Sequence, residues 1–300
     1  MIDKPQDFTS FDVVAVLRGS LQTKKIGHSG TLDPMATGVL PVFVGMATKA
    51  IDLLPDHDKE YIADFQLGAI SDTGDIWGQV SPQDYNPVTA GQIKAVLQTL
   101  TGEISQIPPM YSAIRHNGVR LYDLARQGQT VEREPRPITV YENALLSFDE
   151  AAQAGQLRVS CSKGTYIRTL IEDMGQALNT GALMTNLRRT KACGFSLDNA
   201  ICVEEARTMG KEMLSTHLLP MDTAFALWGS VHLTPAQSTR FANGGFLDLD
   251  RLTGLQDAKN DEMKRVYAEN VFLGIGQVNT VEGILKVRKQ LSVGAIINRP

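Results

Sequence analysis

One short loop holds more chemistry than any other stretch of this chain: His28-Ser29-Gly30-Thr31-Leu32-Asp33-Pro34. Gly27 and Gly30 permit close backbone approach to a ligand, and Pro34 drives Asp33 out of the helical region. A carboxylate held in that way can act as a nucleophile if something keeps it ionised. An Asx-type turn, in which Asp33 only bonds neighbouring amides, satisfies the same spacing. His28 can likewise be a plain hydrogen-bonding residue. Other constellations are missing. No Gly-Lys-Ser/Thr follows the glycines, so the loop is not a phosphate-gripping P-loop. There is no Gly-x-Gly-x-x-Gly after a strand, no His-Glu-x-x-His and no Gly-x-Ser-x-Gly. The five histidines pair with no cysteine at zinc-ligand spacing. Catalysis is therefore expected to run on carboxylates, tyrosines, arginines and His28, with no cofactor and no metal.

The elements that must position this loop can be read from periodicity. Thr9 to Leu21 has a capping-box start and an apolar face of Val13, Val14, Val16, Leu17 and Leu21. A buried strand is expected around Val39 to Val44. Tyr61, Ala63, Phe65 and Leu67 alternate with polar or outward residues, a half-buried strand. Thr89 to Leu100 reads as a helix with a Thr89/Gln92 capping box. Leu157, Val159 and Cys161 alternate as a strand that runs into Gly164-Thr165-Tyr166-Ile167-Arg168. A helix follows with Ile167, Leu170, Ile171, Met174 and Leu178 on one face, ending near Asn179 to Gly181. An extended Tyr166 segment would point Tyr166 and Arg168 to one side, and an earlier helix start would part them.

Between Pro108 and Pro137 five arginines alternate with Tyr111, His116 and Tyr122, which suggests an exposed, partly helical arm. After Ser230, a helix opens at Thr234-Pro235 and closes at Asn243-Gly244. Strand candidates then follow at Phe246 to Leu249, Arg265 to Tyr267, Phe272 to Val278 and Ile284 to Val287, a small β-barrel. Strands and helices mix without regular alternation, so the class is α+β with a mixed or antiparallel sheet. Lys163, Arg168, Arg188, Arg189 and Lys191 outnumber Glu172 and Asp173 and are expected to contact phosphates.

Length and composition bound the rest. Three hundred residues with 43% hydrophobic and 21% charged content suit about two globular domains. No apolar run is long enough to span a membrane, and Met1 to Asp7 has no signal-peptide pattern. Three cysteines without a Cys-x-x-Cys pair fit reduced thiols and a cytoplasmic protein. The net charge of −4 argues mildly against a chain that coats itself onto nucleic acid.

The stretch Lys25 to Pro41, continuing through Gly45-Met46-Ala47-Thr48-Lys49, resembles the signature loop of the TruB family of tRNA pseudouridine synthases. Further blocks fall in family order. They are Asp3-Lys4-Pro5, Lys59-Glu60-Tyr61, Ile107 to Ala113, His116-Asn117-Gly118, Leu124 to Gly128, Ser162 to Arg168 and Leu187 to Thr190. The tail resembles the family's PUA-type domain more loosely. Position by position, the resemblance implies that Asp33 is the catalytic aspartate and that His28 belongs to a loop filling the gap left by an extruded nucleotide. It implies that Tyr61 stacks on the flipped uracil and is a candidate for the C5 proton transfer. Tyr166 and Leu187 would complete the pocket, and Arg168 would pair with Asp33. Spacing alone leaves duller roles open: Tyr61 and Leu187 as core, Arg168 as a surface cap, the arm as a solvated face.

The implied whole is a pseudouridine synthase catalytic domain over 1–225, with a thumb-like arm at about 108–137, and a PUA-like domain over 230–300. The implied reaction is uridine to pseudouridine at T-loop position 55 of tRNA, by base flipping and without cofactor. The implied partner is the tRNA T-arm, with no membrane and no obligatory protein partner, and a monomer is expected. Competing readings are a guide-RNA-dependent synthase and a non-catalytic tRNA-binding chaperone. The route at Asp33 stays open: attack on C1′, attack on C6, or assistance to a glycal. Three positions depart from the family: Ser29 where threonine is frequent, Asp7 where glycine is common, and Met46 where an acid is common.

Overall fold

The computed structural model describes residues 1–292. Its main sheet has nine strands among the described residues. In spatial order, eight of them are Ile201–Cys202, Ile2–Lys4, Thr37–Leu40, Ala182–Ala192, Lys59–Leu67, Ala154–Cys161, Arg136–Asp149 and Gly102–Gln106, and Phe195–Ser196 pairs with Ala182–Ala192. Ile2–Lys4 runs parallel to Ile201–Cys202, and Ala182–Ala192 runs parallel to Thr37–Leu40. The other pairings are antiparallel, so the sheet is mixed, as the α+β reading expected.

Alternation along Lys59–Leu67 puts Tyr61, Ala63, Phe65 and Leu67 on the buried face. The helices Ala90–Thr99 and Ile167–Ala177 cover that face with Ile93 and Leu97, and with Ile167, Leu170, Ile171 and Met174. The Thr89/Gln92 capping box is formed in both directions. Burial of each of these large side chains stabilises the fold by roughly 1.5–3 kcal/mol. The helix at 167 ends where expected, with Asn179 (φ 55°) and Gly181 (φ 66°) in the left-handed region.

Several elements differ from the sequence reading, three of them near the site. The strand expected over Val39 to Val44 breaks at Pro41 into Thr37–Leu40, in the main sheet, and Val42–Val44, which pairs with Ile26–His28. Proline cannot donate to a ladder, so the chain changes partners there. The long strands Arg136–Asp149 and Ala182–Ala192 were not anticipated. Ala182–Ala192 carries Arg188, Arg189 and Lys191, and bulges after Met184 and Arg189 disturb its period of two.

The arm contains the hairpin Arg115–His116/Val119–Arg120 and the helix Leu121–Arg126. Asn117 (φ 49°) and Gly118 (φ 85°) form its tip, both with positive φ as a type I′ turn demands. Leu121 is buried, and Arg120 and Arg126 both lie against the Tyr122 ring.

By compactness the chain forms two units. One comprises Met1–Phe11, Gly30–Leu40 and His57–Val203, and the other Asp12–Ser29, Pro41–Asp56 and Glu204–Pro300. The second unit contains a five-stranded sheet in the order Ser230–Leu233, Met263–Ala268, Val271–Asn279, Ile284–Gln290, Leu247–Asp248. Its helix Pro235–Ala242 is closed by a Thr234/Gln237 capping box, and its core includes Val231, Phe241, Val266, Leu273 and Leu285. Four of the five strands overlap the expected ones, in keeping with a small PUA-like domain. No helix among the described residues is long and apolar enough to cross a membrane.

Candidate active site

Asp33 sits on a loop anchored on both sides. Leu32 and Met35 are 2% and 3% exposed and belong to the same apolar cluster as Tyr61 and Leu187. The Asp33 side chain between them stays 43% exposed. Backbone and side-chain bonds hold this arrangement. Leu32 N–H donates to Ser10 Oγ (2.9 Å), and Ala36 N–H donates to the Asp33 carbonyl (3.0 Å). Asp7 N–H donates to the Pro34 carbonyl (3.0 Å). Lys4 is fully buried, and its Nζ donates to the carbonyls of Pro5 (2.8 Å), Phe8 (2.6 Å) and Pro34 (3.4 Å). Those oxygens solvate an ammonium that burial would otherwise penalise. Asp7 has φ 67°, a conformation that aspartate tolerates better than most residues. Its departure from the family's glycine thus falls at a left-handed position.

Arg168 supplies the opposing charge. Helix Ile167–Ala177 starts late enough that Tyr166 is its extended N-cap (φ −106°, ψ 111°), while Arg168 already lies in the first turn. The Gln106 side chain, buried at 2% exposure, grips Tyr166 on both sides. Its Oε1 accepts from Tyr166 N–H (2.8 Å), and its Nε2 donates to the Tyr166 carbonyl (3.1 Å). Arg168 Nη2 lies 2.9 Å from Asp33 Oδ2 and also donates to the Tyr111 carbonyl at 2.9 Å. Nη1 donates to the Thr73 carbonyl at 2.7 Å. With its side chain only 7% exposed, Arg168 is a buried fork that pairs with the half-exposed Asp33.

Asp75 was not singled out from the sequence. Its Oδ2 faces Arg168 Nη1 at 3.6 Å, and its Oδ1 accepts from Thr73 Oγ1 (2.9 Å) and Trp77 N–H (3.0 Å). The loop is tied to the sheet by Met184 N–H to the Gly74 carbonyl and Ile76 N–H to the Met184 carbonyl. An aspartate in a turn has many uses, and only the long-range pairing shows which one this serves.

Tyr61 lies opposite Arg189 across the antiparallel pair, and Leu187 lies opposite Ala63 on the same face. Burial pushes the Tyr61 phenol up to about 12, although the Arg189 guanidinium beside its oxygen favours ionisation. Asp33 is near enough to add to the upward shift. Burial also raises Tyr166, against the nearby Ser112 hydroxyl and the charge of Arg168. The structure thus groups Asp33, Arg168, Tyr61, Tyr166 and Leu187. His28 stands opposite Val42 in the second unit.

The folded phenol at about 12 exceeds the unfolded value of 10, so protonation favours the fold. That contribution is whole below pH 10 and is lost as pH rises toward 12, at most about 2–3 kcal/mol. Thermal denaturation between pH 8 and 11 should therefore show a decline in Tm that is shallower in Tyr61→Phe.

The expected phosphate contacts need correcting. Arg189 is 0% exposed, its Nε donating to the Val39 carbonyl (2.8 Å) and its Nη2 to the Gly30 carbonyl (3.0 Å). A Cβ on Gly38 would stand 2.1 Å from the Arg189 carbonyl, so only glycine lets these strands meet. Arg168 is buried too, and Arg188 forks onto Asp3 at 2.7 and 3.2 Å. Lys163 and Lys191 remain outward, and Lys191 is paired with Glu60. Guanidinium groups saturate several carbonyls at once, which is why a local basic excess can be structural.

Comparison with known proteins shows what the chain is similar to. Residues 18–167 match the TruB family pseudouridylate synthase N-terminal domain, and residues 168–226 match the tRNA pseudouridylate synthase B C-terminal domain. A tRNA pseudouridine synthase B from Clostridium tetani is 41% identical over 95% of this chain and 96% of its own length. One from Saccharophagus degradans is 41% identical over 97% of this chain and 95% of its own. Among solved structures, a Cbf5-Nop10-Gar1 complex contains a chain with TM-score 0.74 and 25% identity, covering all of this chain and 86% of its own. Two family models that together span residues 18–226, and relatives 41% identical over nearly the whole length, agree: the chain belongs to the TruB family of pseudouridylate synthases.

Proposed function

We propose that the protein isomerises uridine to pseudouridine at T-loop position 55 of tRNA, with Asp33 as the essential carboxylate. The observation that carries this reading is the half-exposed Asp33 held at 2.9 Å by the buried Arg168 fork. In the reaction N1–C1′ breaks, C5–C1′ forms, C5 loses a proton and N1 gains one. Every route through these steps requires an ionised carboxylate at the reacting centre. The uridine must leave its stack to reach Asp33, and stacking on Tyr61, which is 6% exposed before RNA binds, would be worth roughly 1–3 kcal/mol once the base uncovers it. Since the Tyr61 phenol titrates at about 12, it keeps its proton at neutral pH and meets the base as a neutral hydroxyl beside Arg189. Tyr166 and Leu187 close the pocket, and His28 belongs to the loop that fills the vacated position.

Residues 1–225 are proposed as the catalytic domain and 230–300 as an RNA-binding appendage; residues 293–300 lie outside the described part. The arm at 108–137 grips the RNA around a cavity of about 400 Å³ whose lining includes Arg115, His116, Arg133 and Arg136 as well as Glu132 and Glu134. Similarity of 41% over nearly the whole length to synthases named for tRNA favours a stand-alone enzyme over a guide-dependent one, and a monomer is proposed with it. The deciding experiment uses unmodified tRNA, maps carbodiimide-dependent primer-extension stops, and repeats the assay on a bare T-arm hairpin. A stop at the T-loop uridine in both substrates is the expected result. Binding without a stop would instead favour the chaperone.

Asp75→Asn is expected to lower kcat roughly 10–100-fold with KM within about threefold. The amide keeps the acceptor for Thr73 and Trp77 but removes the charge that orients Arg168. Single-turnover rates at saturating RNA measure this, and an unchanged rate would remove Asp75 from the mechanism.

A further inference from the structure

We propose that Trp77 is a stacking platform for a nucleobase that flanks the modified uridine, an inference that rests on the RNA-modifying reading above. The segment joining Ala69–Ser71 to Val80–Pro82 exposes a cluster of large apolar side chains: Ile70 (43%), Ile76 (48%), Trp77 (49%) and Val80 (44%). The Trp77 indole makes no hydrogen bond or ring contact among the described residues. Half of a tryptophan left in water is a cost that a folded chain ordinarily avoids, and such a ring marks a contact surface.

Its position ties it to the candidate active site. Trp77 N–H donates to Asp75 Oδ1, the other Asp75 oxygen faces Arg168, and Arg168 holds Asp33. One carboxylate and one guanidinium therefore separate the Trp77 backbone from the reacting centre. The loop is also rigid. Ile76 N–H and Met184 N–H bond it to the sheet, Gly78 N–H donates to the Asp75 carbonyl, and Gln79 N–H donates to Asp72 Oδ1. A ring presented on a fixed loop loses little freedom when it is covered.

The occupant follows from the reaction. Extruding one nucleotide leaves the bases on either side without a stacking neighbour, and that loss opposes flipping. An indole carried on this loop would replace the lost partner without demanding a particular base, because every base has a π face. A protein partner would use the aliphatic neighbours as much as the ring, and this difference can be measured.

Trp77 and Trp228 are the two tryptophans in the chain, so Trp228→Phe leaves Trp77 as the sole indole. In that variant, saturation with an unmodified T-arm hairpin should quench the fluorescence, and a fully paired duplex of equal length should not. Trp77→Ala is expected to raise KM and Kd for the hairpin about tenfold, with kcat within about twofold. Trp77→Phe should stay within about threefold of wild type, while Trp77→Leu should behave as the alanine variant. Unchanged KM in Trp77→Ala, absent quenching, or wild-type KM in Trp77→Leu would each overturn the proposal. Wild-type protein that forms no pseudouridine in the hairpin would overturn both this proposal and the functional reading. Normal modification with an indifferent Trp77 would overturn this proposal alone.

Discussion

Asp33→Asn is expected to lower the rate of pseudouridine formation by roughly 10⁴-fold or more while the dissociation constant for tRNA stays within about threefold. Asparagine matches the shape of aspartate, and the loop does not depend on the charge for its conformation. Leu32 and Met35 remain buried on either side, Ala36 N–H still reaches the carbonyl of residue 33, and Lys4 and Asp7 still hold Pro34. The side chain is 43% exposed, so loss of its ion pair should cost little stability. What disappears is the negative charge and the nucleophilic oxygen beside Arg168. Arg168 keeps its bonds to Tyr111 and Thr73, so the pocket wall survives. Carbodiimide mapping reads the activity, and filter binding reads the affinity. Full activity in Asp33→Asn would refute the mechanism outright.

Arg168→Lys should reduce the single-turnover rate roughly 10²–10³-fold, although the charge is conserved. One ammonium cannot serve the Tyr111 carbonyl, the Thr73 carbonyl, Asp33 and Asp75 from the directions that a planar fork reaches. Arg168→Met goes further and leaves the buried Asp75 carboxylate without its cation, with an expected destabilisation of about 3–5 kcal/mol. Thermal denaturation separates the two variants: the lysine protein should melt nearer to wild type, and both should be slow. A lysine variant with the wild-type single-turnover rate would show that the guanidinium geometry is dispensable.

Periodic elements were legible from the sequence because their signals are local. Lys59–Leu67 alternates over its full length, and the Thr89/Gln92 capping box joins residues three apart. Ala182–Ala192 was hidden because its bulges break the alternation and its outward and inward arginines look alike in one dimension. The break at Pro41 was hidden because both halves are equally apolar. Buried Arg189 and Lys4 were hidden because their partners are backbone carbonyls, which carry no residue type.

The sequence by itself determined the mixed α+β class, the family and the residues Asp33, Arg168, Tyr61, Tyr166 and Leu187 as candidates. The resemblance implied that Arg168 pairs with Asp33, and the tertiary structure supplied the geometry of that pairing. Asp33 and Arg168 are far apart in the chain and lie 2.9 Å apart in space. It also decided that Asp75 stands behind Arg168, and that the basic excess around Arg188 is largely inward-facing or paired. The physical reason is the same in each case. A buried charge requires partners from any part of the fold that can reach it, so its environment is a property of packing and not of local pattern.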